Sequence, residues 1–212
     1  MRGLPFDIEK GARPSCSHCF RPVDHCLCHL ITPFEAHCNI LILQHPNERR
    51  KYNSTSKLVT RALRNARIIR GLIFDPQEIR QALTGQNALL LFPSEEAEDC
   101  ETLPLDRSNT VIVLDGTWSE AGKVLSRNPI LQQIPAVSFK APLRSNFHIR
   151  KQPKEHYLST IESVAHLLKL SARASGQEVK CAEYERMFHA FDRLVDQQLS
   201  FFPRNRPFKC LL

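Results

Sequence analysis

The residues best suited to chemistry follow one apolar run in the middle of the chain. Residues 110–114 (TVIVL) have the composition of a buried strand, and residues 115–118 (DGTW) come directly after it. Ligands of open α/β sheets bind at the carboxyl ends of the strands, where these four residues would lie. The position therefore predicts functional roles for Asp115 and Trp118. The alternative is structural: Asp115 would only cap the following helix, and Trp118 would only cover the edge of the sheet.

Four cysteines near the beginning of the chain have the spacing of a metal site. Cys16 and Cys19 form a C-x2-C pair, and Cys26 and Cys28 form a C-x-C pair six residues later. Four thiolates can surround one ion tetrahedrally, and tetrahedral sulfur coordination selects zinc. Because the protein fills all four positions, the predicted zinc is structural rather than catalytic. The alternative is that these cysteines are reduced or disulfide-bonded and hold no metal.

The composition is typical of a globular protein with one mid-sized domain and a small added module. The chain has 212 residues, of which 42% are hydrophobic and 24% charged. The first residues contain no apolar signal segment, and no run of about 18 apolar residues occurs. We therefore expect a cytoplasmic protein without membrane contact, whose cysteines serve as metal ligands or buried thiols.

Positive charge predicts a polyanionic partner. The net charge is +7, and residues 140–154 contain five Lys or Arg and no acid. A second group, Arg61, Arg64 and Arg67, recurs every three residues, which would place it on one side of a helix. Neutralising phosphates supplies sequence-independent affinity for nucleic acid, although a merely solvated basic surface is the alternative. The predicted RNA-contacting residues are Arg61, Arg64, Lys140, Arg144, Arg150 and Lys151.

Strand and helix signals alternate along the chain. Apolar runs that end at polar residues or prolines predict buried strands at residues 39–44, 88–92, 110–114 and 136–139. Helical spacing of apolar residues and two capping boxes predict helices at residues 53–65, 117–127, 160–172 and 181–199. This alternation indicates an α/β fold, with a parallel sheet covered by helices on both faces. The composition changes near residues 32–33, so we expect a zinc-binding module at residues 1–35 and the α/β domain at residues 36–212.

Six blocks of residues make the chain similar to the DTW-domain family, the tRNA-uridine aminocarboxypropyltransferases, along nearly its whole length. The blocks are the four cysteines, residues 43–46 (LQHP) with Glu48, residues 91–95 (LFPSE), residues 114–118 with Lys123, residues 144–150 (RSNFHIR) and residues 158–162 (LSTIE). The chain departs from the family's pattern at Phe147 and His148, where Tyr and Arg are expected. Residues 152–156 also lack an expected glycine. These departures bear on substrate choice more than on reaction type.

The resemblance implies a SPOUT-like fold with a C-terminal trefoil knot, and S-adenosylmethionine as co-substrate. It also implies that three loops hold this donor, at residues 92–94, 114–118 and 158–160. No G-x-G-x-x-G motif is present, so a Rossmann-type phosphate cradle is not expected. The donor-binding residues implied are Phe92, Pro93, Ser94, Leu114, Gly116, Thr117, Trp118, Leu158, Ser159 and Thr160.

The implied reaction is attack of uridine N3 on the γ-carbon of the donor's aminocarboxypropyl group, which releases methylthioadenosine. Trp118 would pack against the methionine part of the donor, and Asp115 is the candidate base for N3–H. A carboxylate with a pKa near the ordinary value of about 3.9 is a poor match for that weak acid, so we favour an orienting or charge-balancing role for Asp115. Glu162 is a weaker candidate, since a capping box explains it.

Two other functions remain possible from the sequence. A SPOUT-like RNA methyltransferase would use the same donor, and a zinc-bearing RNA-binding protein without enzymatic activity would use none. The RNA substrate is expected to be tRNA, with rRNA as the alternative. We expect a monomer with no obligate protein partner.

Overall fold

Six parallel strands form one sheet in the order β2-β1-β5-β3-β6-β4. The computed structural model describes residues 14–49, 51, 53–139, 145–147, 158–177 and 181–201. The strands are β1 Asn39–Gln44, β2 Ala66–Arg70, β3 Asn87–Leu91, β4 Glu98–Asp99, β5 Asn109–Asp115 and β6 Ala136–Ser138. The four strands predicted from the sequence are all present, and β2 and β4 are additional.

Helices lie between most of the strands, but β3, β4 and β5 follow one another without a helix. The helices are α1 Ser56–Ala62, α2 Pro76–Ala82, α3 Trp118–Arg127, α4 Pro129–Gln132, α5 Thr160–Ala174 and α6 Cys181–Ser200. The predicted helices at residues 117–127, 160–172 and 181–199 are confirmed to within two residues. Among the described residues, no helix is both long and apolar enough to cross a bilayer.

The predicted helix at residues 53–65 is too long at both ends, because α1 begins only at Ser56. Helix α1 stops at Ala62, and Leu63 is already extended. The side chain of Asn65 accepts from the Ala36 N–H and donates to the Cys38 carbonyl, which lie just before β1. The chain then enters β2. Arg67 therefore lies on a strand, so the three arginines at intervals of three do not follow one side of a helix. The spacing misled because apolar residues continue at helical intervals through Leu63 and Ala66. Leu63 instead forms a parallel bridge with Phe34, a contact that is distant in sequence.

Alternate residues of the central strands face two separate cores. Ile40 and Val111 pack on one face against helices α1, α5 and α6, and Leu41 and Ile112 pack on the other face against α2 and α3. Continuous apolar runs arise because both faces of these strands are buried. The prediction of a parallel sheet with helices on both faces is confirmed.

The N-terminal cysteine segment is docked on the α/β core. Leu27 is buried and belongs to the larger core, which also contains residues of the sheet and of α6. Arg21 is also buried, and its guanidinium donates to the His25 carbonyl (2.9 Å) and to Gln197 Oε1 on α6 (2.7 Å). The division into units at residues 35 and 36 stays a prediction.

The predicted knot depends on the path of the chain between β6 and α5. Residues 140–144 and 148–157, which make up most of that connection, lie outside the described residues. The knot therefore stays an implication of the family resemblance.

We expect Arg21→Ala to lower the free energy of unfolding by about 3 kcal/mol, because it leaves the His25 carbonyl and the Gln197 amide without a charged donor. Chemical denaturation measures this value. The matched control is Arg193→Ala on α6. The Arg193 guanidinium is exposed and forms only a long ion pair with Asp196, at 3.9 Å. It should change stability by less than about 0.5 kcal/mol. Equal effects from both substitutions would contradict the anchoring role of Arg21.

Candidate active site at the carboxyl end of the sheet

Asp115 is buried at the carboxyl end of β5, where it accepts hydrogen bonds from two other elements. Gln44, its register partner on β1, donates from Nε2 to Oδ2 at 2.8 Å. Thr160, the first residue of α5, donates from Oγ1 to Oδ1 at 2.5 Å. Only 5% of the residue is exposed to solvent. The carboxylate that the sequence singled out at the end of β5 is therefore buried, and each of its two oxygens accepts a hydrogen bond.

Burial sets the direction of the Asp115 pKa. Loss of solvent raises the pKa of this carboxyl above its usual value, and the hydrogen bonds from Thr160, Gln44 and Ser56 oppose the rise without cancelling it. The nearby Glu48 adds to the rise. The sequence-based expectation of an ordinary carboxylate pKa is therefore not met. A raised pKa makes Asp115 a better proton acceptor once it is ionised.

The orientation of the Gln44 amide is fixed from its other end. Arg70 on β2 donates from Nε to Gln44 Oε1 at 3.0 Å, so the amide nitrogen must point towards Asp115. The same nitrogen also lies 2.9 Å from Ser56 Oγ on α1. In the register of the parallel strands, Arg70, Gln44 and Asp115 stand side by side. This row of polar groups spans β2, β1 and β5 at one edge of the sheet.

The three loops expected to hold the donor converge on the end of β5. The ring of Phe92, just after β3, lies 6.2 Å from the ring of Trp118 at a tilt of 51°. Thr160 represents the third loop through its bond to Asp115. Trp118 and Phe92 are half-buried, whereas Pro93 and Ser94 are exposed. The structure thus brings Phe92 next to Trp118 and Thr160 next to Asp115. The other predicted donor residues adjoin these in the chain, namely Pro93, Ser94, Leu114, Gly116, Thr117, Leu158 and Ser159, and their contact with a donor stays a prediction.

A capping box begins α3 directly behind this site. Thr117 N–H donates to Glu120 Oε2 at 2.8 Å, and Glu120 N–H donates to Thr117 Oγ1 at 3.2 Å. Burial would raise the pKa of Glu120, but the hydrogen bonds from Thr117 and Asn47 lower it to about 2. A Cβ at Gly116 would meet Glu120 Cβ at 3.0 Å and His45 Cβ at 3.4 Å. The glycine therefore leaves room for the close approach of Glu120 in the first turn of α3.

Sequence reasoning missed a run of buried polar residues between β1 and α1. Ser54, Thr55, Ser56 and Lys57 are all buried, and Ser56 connects the run to Gln44. The Lys57 ammonium donates to the carbonyl of Lys51 at 3.1 Å, and burial lowers the Lys57 pKa. The sequence offered one signal for a buried polar run: residues 54–57 follow the LQHP block by a few residues and directly precede the apolar residues of α1.

Glu162 has a structural role in this site. Its carboxylate accepts from the Ser159 backbone at 2.7 Å, as the predicted capping box requires, and from the Asn146 backbone at 2.7 Å. These bonds hold residues 145–147 on the start of α5. Phe147 is buried there against Phe191 (5.4 Å). The phenylalanine that departs from the family pattern therefore occupies a core position, where a hydroxyl group would be buried.

The residues predicted to contact RNA are only partly described. Arg61 is half-buried on α1, and Arg64 is exposed in the turn that follows it. Lys140, Arg144, Arg150, Lys151 and His148 lie outside the described residues. Their proposed contact with RNA stays a prediction.

The four N-terminal cysteines form a group that could hold a metal ion. Their sulfur atoms all lie within 4.8 Å of one another. The Cys16–Cys28 and Cys19–Cys26 sulfur pairs are each 3.9 Å apart. A tetrahedron with metal–sulfur bonds of about 2.3 Å has edges of about 3.8 Å, so the sulfur positions fit one four-coordinate ion.

Comparisons with known proteins agree with the sequence blocks. The DTW domain family model matches residues 13–199. The protein named tRNA-uridine aminocarboxypropyltransferase 2 from Macaca fascicularis is 32% identical over 172 residues, 76% of this chain and 57% of the relative. Its Drosophila melanogaster namesake is 30% identical over 74% of this chain and 66% of its own length. The chain thus spans less than two thirds of these relatives.

Two further matches extend the comparison. tRNA-uridine aminocarboxypropyltransferase A from Arabidopsis thaliana is 26% identical, over 84% of this chain and 81% of its own length. The SAM-dependent rRNA:acp-transferase Tsr3 from Vulcanisaeta distributa aligns in structure with a TM-score of 0.45 and 17% identity, covering 77% of this chain and 79% of that one. A TM-score at this level does not establish a shared fold. The family model, which matches nearly the whole chain, shows that the protein belongs to the DTW-domain family.

Proposed function

We propose that this protein transfers the 3-amino-3-carboxypropyl group of S-adenosylmethionine to N3 of a uridine in tRNA. The observation that carries the proposal is the buried Asp115 carboxylate, held by Gln44 and Thr160 where three loops meet. The names of the relatives support the reaction and the substrate class. Net positive charge supports a polyanionic substrate.

The donor would lie on the side of Asp115 towards β3 and α5. Trp118 and Phe92 offer an aromatic surface there, and we propose that it packs against the methionine part of the donor. All three carbons on a sulfonium are activated by the same charge, so orientation must decide which one reacts. A fixed Trp118 ring would present the γ-carbon to the acceptor and keep the methyl group away from it.

The acceptor uridine would approach Asp115 with its N3–H. In the proposed step the N3–γ-carbon bond forms, the γ-carbon–sulfur bond breaks, and the bond's electron pair stays on the sulfur of methylthioadenosine. The N3 proton must leave, and two roles for Asp115 fit this requirement. It could accept the proton, which its raised pKa favours, or it could only orient the uracil and balance the donor's charge.

We propose zinc as the ion of the four-cysteine site. Four thiolates from short C-x2-C and C-x-C pairs favour zinc over harder ions, and the 3.9 Å sulfur separations fit its bond length. With four protein ligands the ion has no open position for substrate, so its role would be structural.

We expect Asp115→Asn to lower the transfer rate by about 10²- to 10⁴-fold, as for other lost acid–base or electrostatic groups. Mass spectrometry of nucleosides from tRNA incubated with the variant measures the product. The matched control is Asp106→Asn, which lies just before the opposite end of β5 and should transfer at the wild-type rate. At position 115, asparagine can keep the local hydrogen bonds, since its side-chain oxygen can accept from Gln44 while its nitrogen donates to the Thr160 hydroxyl. Wild-type transfer by Asp115→Asn would contradict the catalytic role.

A pH series should separate the two roles of Asp115. If it accepts the proton, wild-type transfer rises as the pH passes its raised pKa, and high pH rescues the Asn variant because more uridine is already ionised. If it only orients, the deficit persists at every pH.

The raised pKa of Asp115 also bears on stability. Because the pKa is higher in the native fold than in the unfolded chain, the free energy of unfolding falls as the pH rises from the ordinary carboxyl pKa to the raised one. Asp115→Asn should therefore unfold no earlier than wild type at pH 7.

We expect Trp118→Ala to weaken S-adenosylmethionine binding by about tenfold and to lower transfer as well, because a loosely held donor no longer presents its γ-carbon in line. Calorimetric titration with the donor measures the affinity. Trp118→Phe keeps an aromatic ring and should retain most of it. Unchanged donor affinity in the alanine variant would remove Trp118 from the donor site.

We expect one zinc ion per chain and its loss in Cys26→Ser, together with lower stability, because ion binding and folding of such a site are linked. Elemental analysis of the purified protein and thermal unfolding measure both effects. Cys100→Ala changes a buried thiol outside the cluster and should keep the zinc. Wild-type protein without zinc would overturn this proposal.

A further inference from the structure

Phe20 has an unusual backbone conformation. Its φ is +58°, in the left-handed region that favours glycine, and among the described residues it is the only non-glycine with a positive φ. The position lies directly after Cys19 in the tight turn of the cysteine segment, where Phe20 N–H donates to the Cys16 carbonyl at 2.9 Å. A glycine would fit this turn without strain. A strained conformation that is kept with a large side chain points to a use for that side chain.

Phe20 is half exposed, and two other exposed large hydrophobic residues also lie in or against the cysteine segment. Phe20 is 50% exposed, Val23 39% and Phe201 56%. The Phe201 ring packs edge-on against His25 at 5.0 Å, so it lies on the cysteine segment too. Of the four exposed large hydrophobic residues in the described part of the chain, only Ile73 belongs to another region.

One face of the Phe20 ring contacts a cation, which connects the ring to the proposed active site. The Lys57 ammonium lies 4.6 Å from the ring centroid. Lys57 follows Ser56, which is bonded to Gln44, and Gln44 donates to Asp115. This path runs through α1 and β1, whereas the proposed donor residues lie on the side of β3 and α5. Phe20 is thus connected through Lys57 to the polar network around Asp115, at the α1 and β1 end that the proposed donor position would leave for the acceptor.

We propose that Phe20 stacks on a nucleobase of the RNA substrate, at or next to the uridine that is modified. Bases of single-stranded RNA are bound by stacking on exposed aromatic rings. Phe20 is 50% exposed although Lys57 lies over its ring. The net charge of +7 favours a nucleic acid over a protein at this surface, and the sequence after Phe201 contains Arg204, Arg206, Lys209 and no acid. The inference rests on the proposed function, since it assigns the acceptor side of that site.

The test is the affinity of Phe20→Gly, Phe20→Ala and Phe20→Trp for an unmodified tRNA transcript, measured by fluorescence polarisation over a range of salt concentrations. Loss of one stacked base should weaken binding about 5- to 100-fold in the glycine and alanine variants. The tryptophan variant should bind within about twofold of wild type. The slope of affinity against salt should stay the same in all variants, because no phosphate contact is lost.

Stability separates this role from a structural one. Phe20→Gly removes the backbone strain, so its melting temperature should equal that of wild type or rise by up to about 4 °C, and it should keep its metal. If the ring only stabilises the fold, the melting temperature falls and tRNA affinity does not. Ile73→Ala is the matched control for an exposed apolar residue away from this surface, and it should bind tRNA like wild type.

Two results would overturn the proposal. One is tRNA affinity within twofold of wild type in both Phe20→Gly and Phe20→Ala. The other is a loss of affinity that accompanies loss of bound metal, which would assign the effect to the folding of the cysteine segment. Both results are measured without the transfer reaction. If the Phe20 variants bind tRNA like wild type and also transfer the group, the stacking role fails while the proposed function stands.

Discussion

A carboxylate removed from water must be met by hydrogen-bond donors, and this requirement at Asp115 organises the site. Gln44 and Thr160 supply the donors from β1 and α5, which are distant from β5 in sequence. Pairing of β1 with β5 in register, and the return of the chain to begin α5 beside them, are thus both needed. Arg70 adds a further condition, because it fixes which end of the Gln44 amide faces Asp115.

The cysteine segment and the sheet edge form one connected structure. Arg21 joins the segment to α6, and Phe20 lies over Lys57 at the start of α1. A structural ion that holds this segment would therefore act on the acceptor side of the site through packing, without taking part in chemistry. This arrangement would give a physical reason for the position of the four-cysteine segment next to the proposed transfer site.

Much of the architecture could be predicted because its signals are local. The apolar runs that became β1 and β5 are buried on both faces, and the capping boxes at Thr117 and Ser159 mark helix starts directly. Strand β2 could not be predicted, because it is a half-buried edge strand in which arginines interrupt the apolar residues. The burial of Ser56 and Lys57 and the raised pKa of Asp115 depend on tertiary contacts, to which the composition of a short segment gives no guide.

The central claim is that the γ-carbon of the donor, and not its methyl group, reaches the RNA. The most direct measurement is the nucleoside by-product formed when purified protein acts on an unmodified tRNA transcript with S-adenosylmethionine. The account predicts methylthioadenosine, in amounts equal to the 3-(3-amino-3-carboxypropyl)uridine found in the digested tRNA. Adenosylhomocysteine together with a methylated nucleoside, or no by-product from folded protein that binds both substrates, would contradict it.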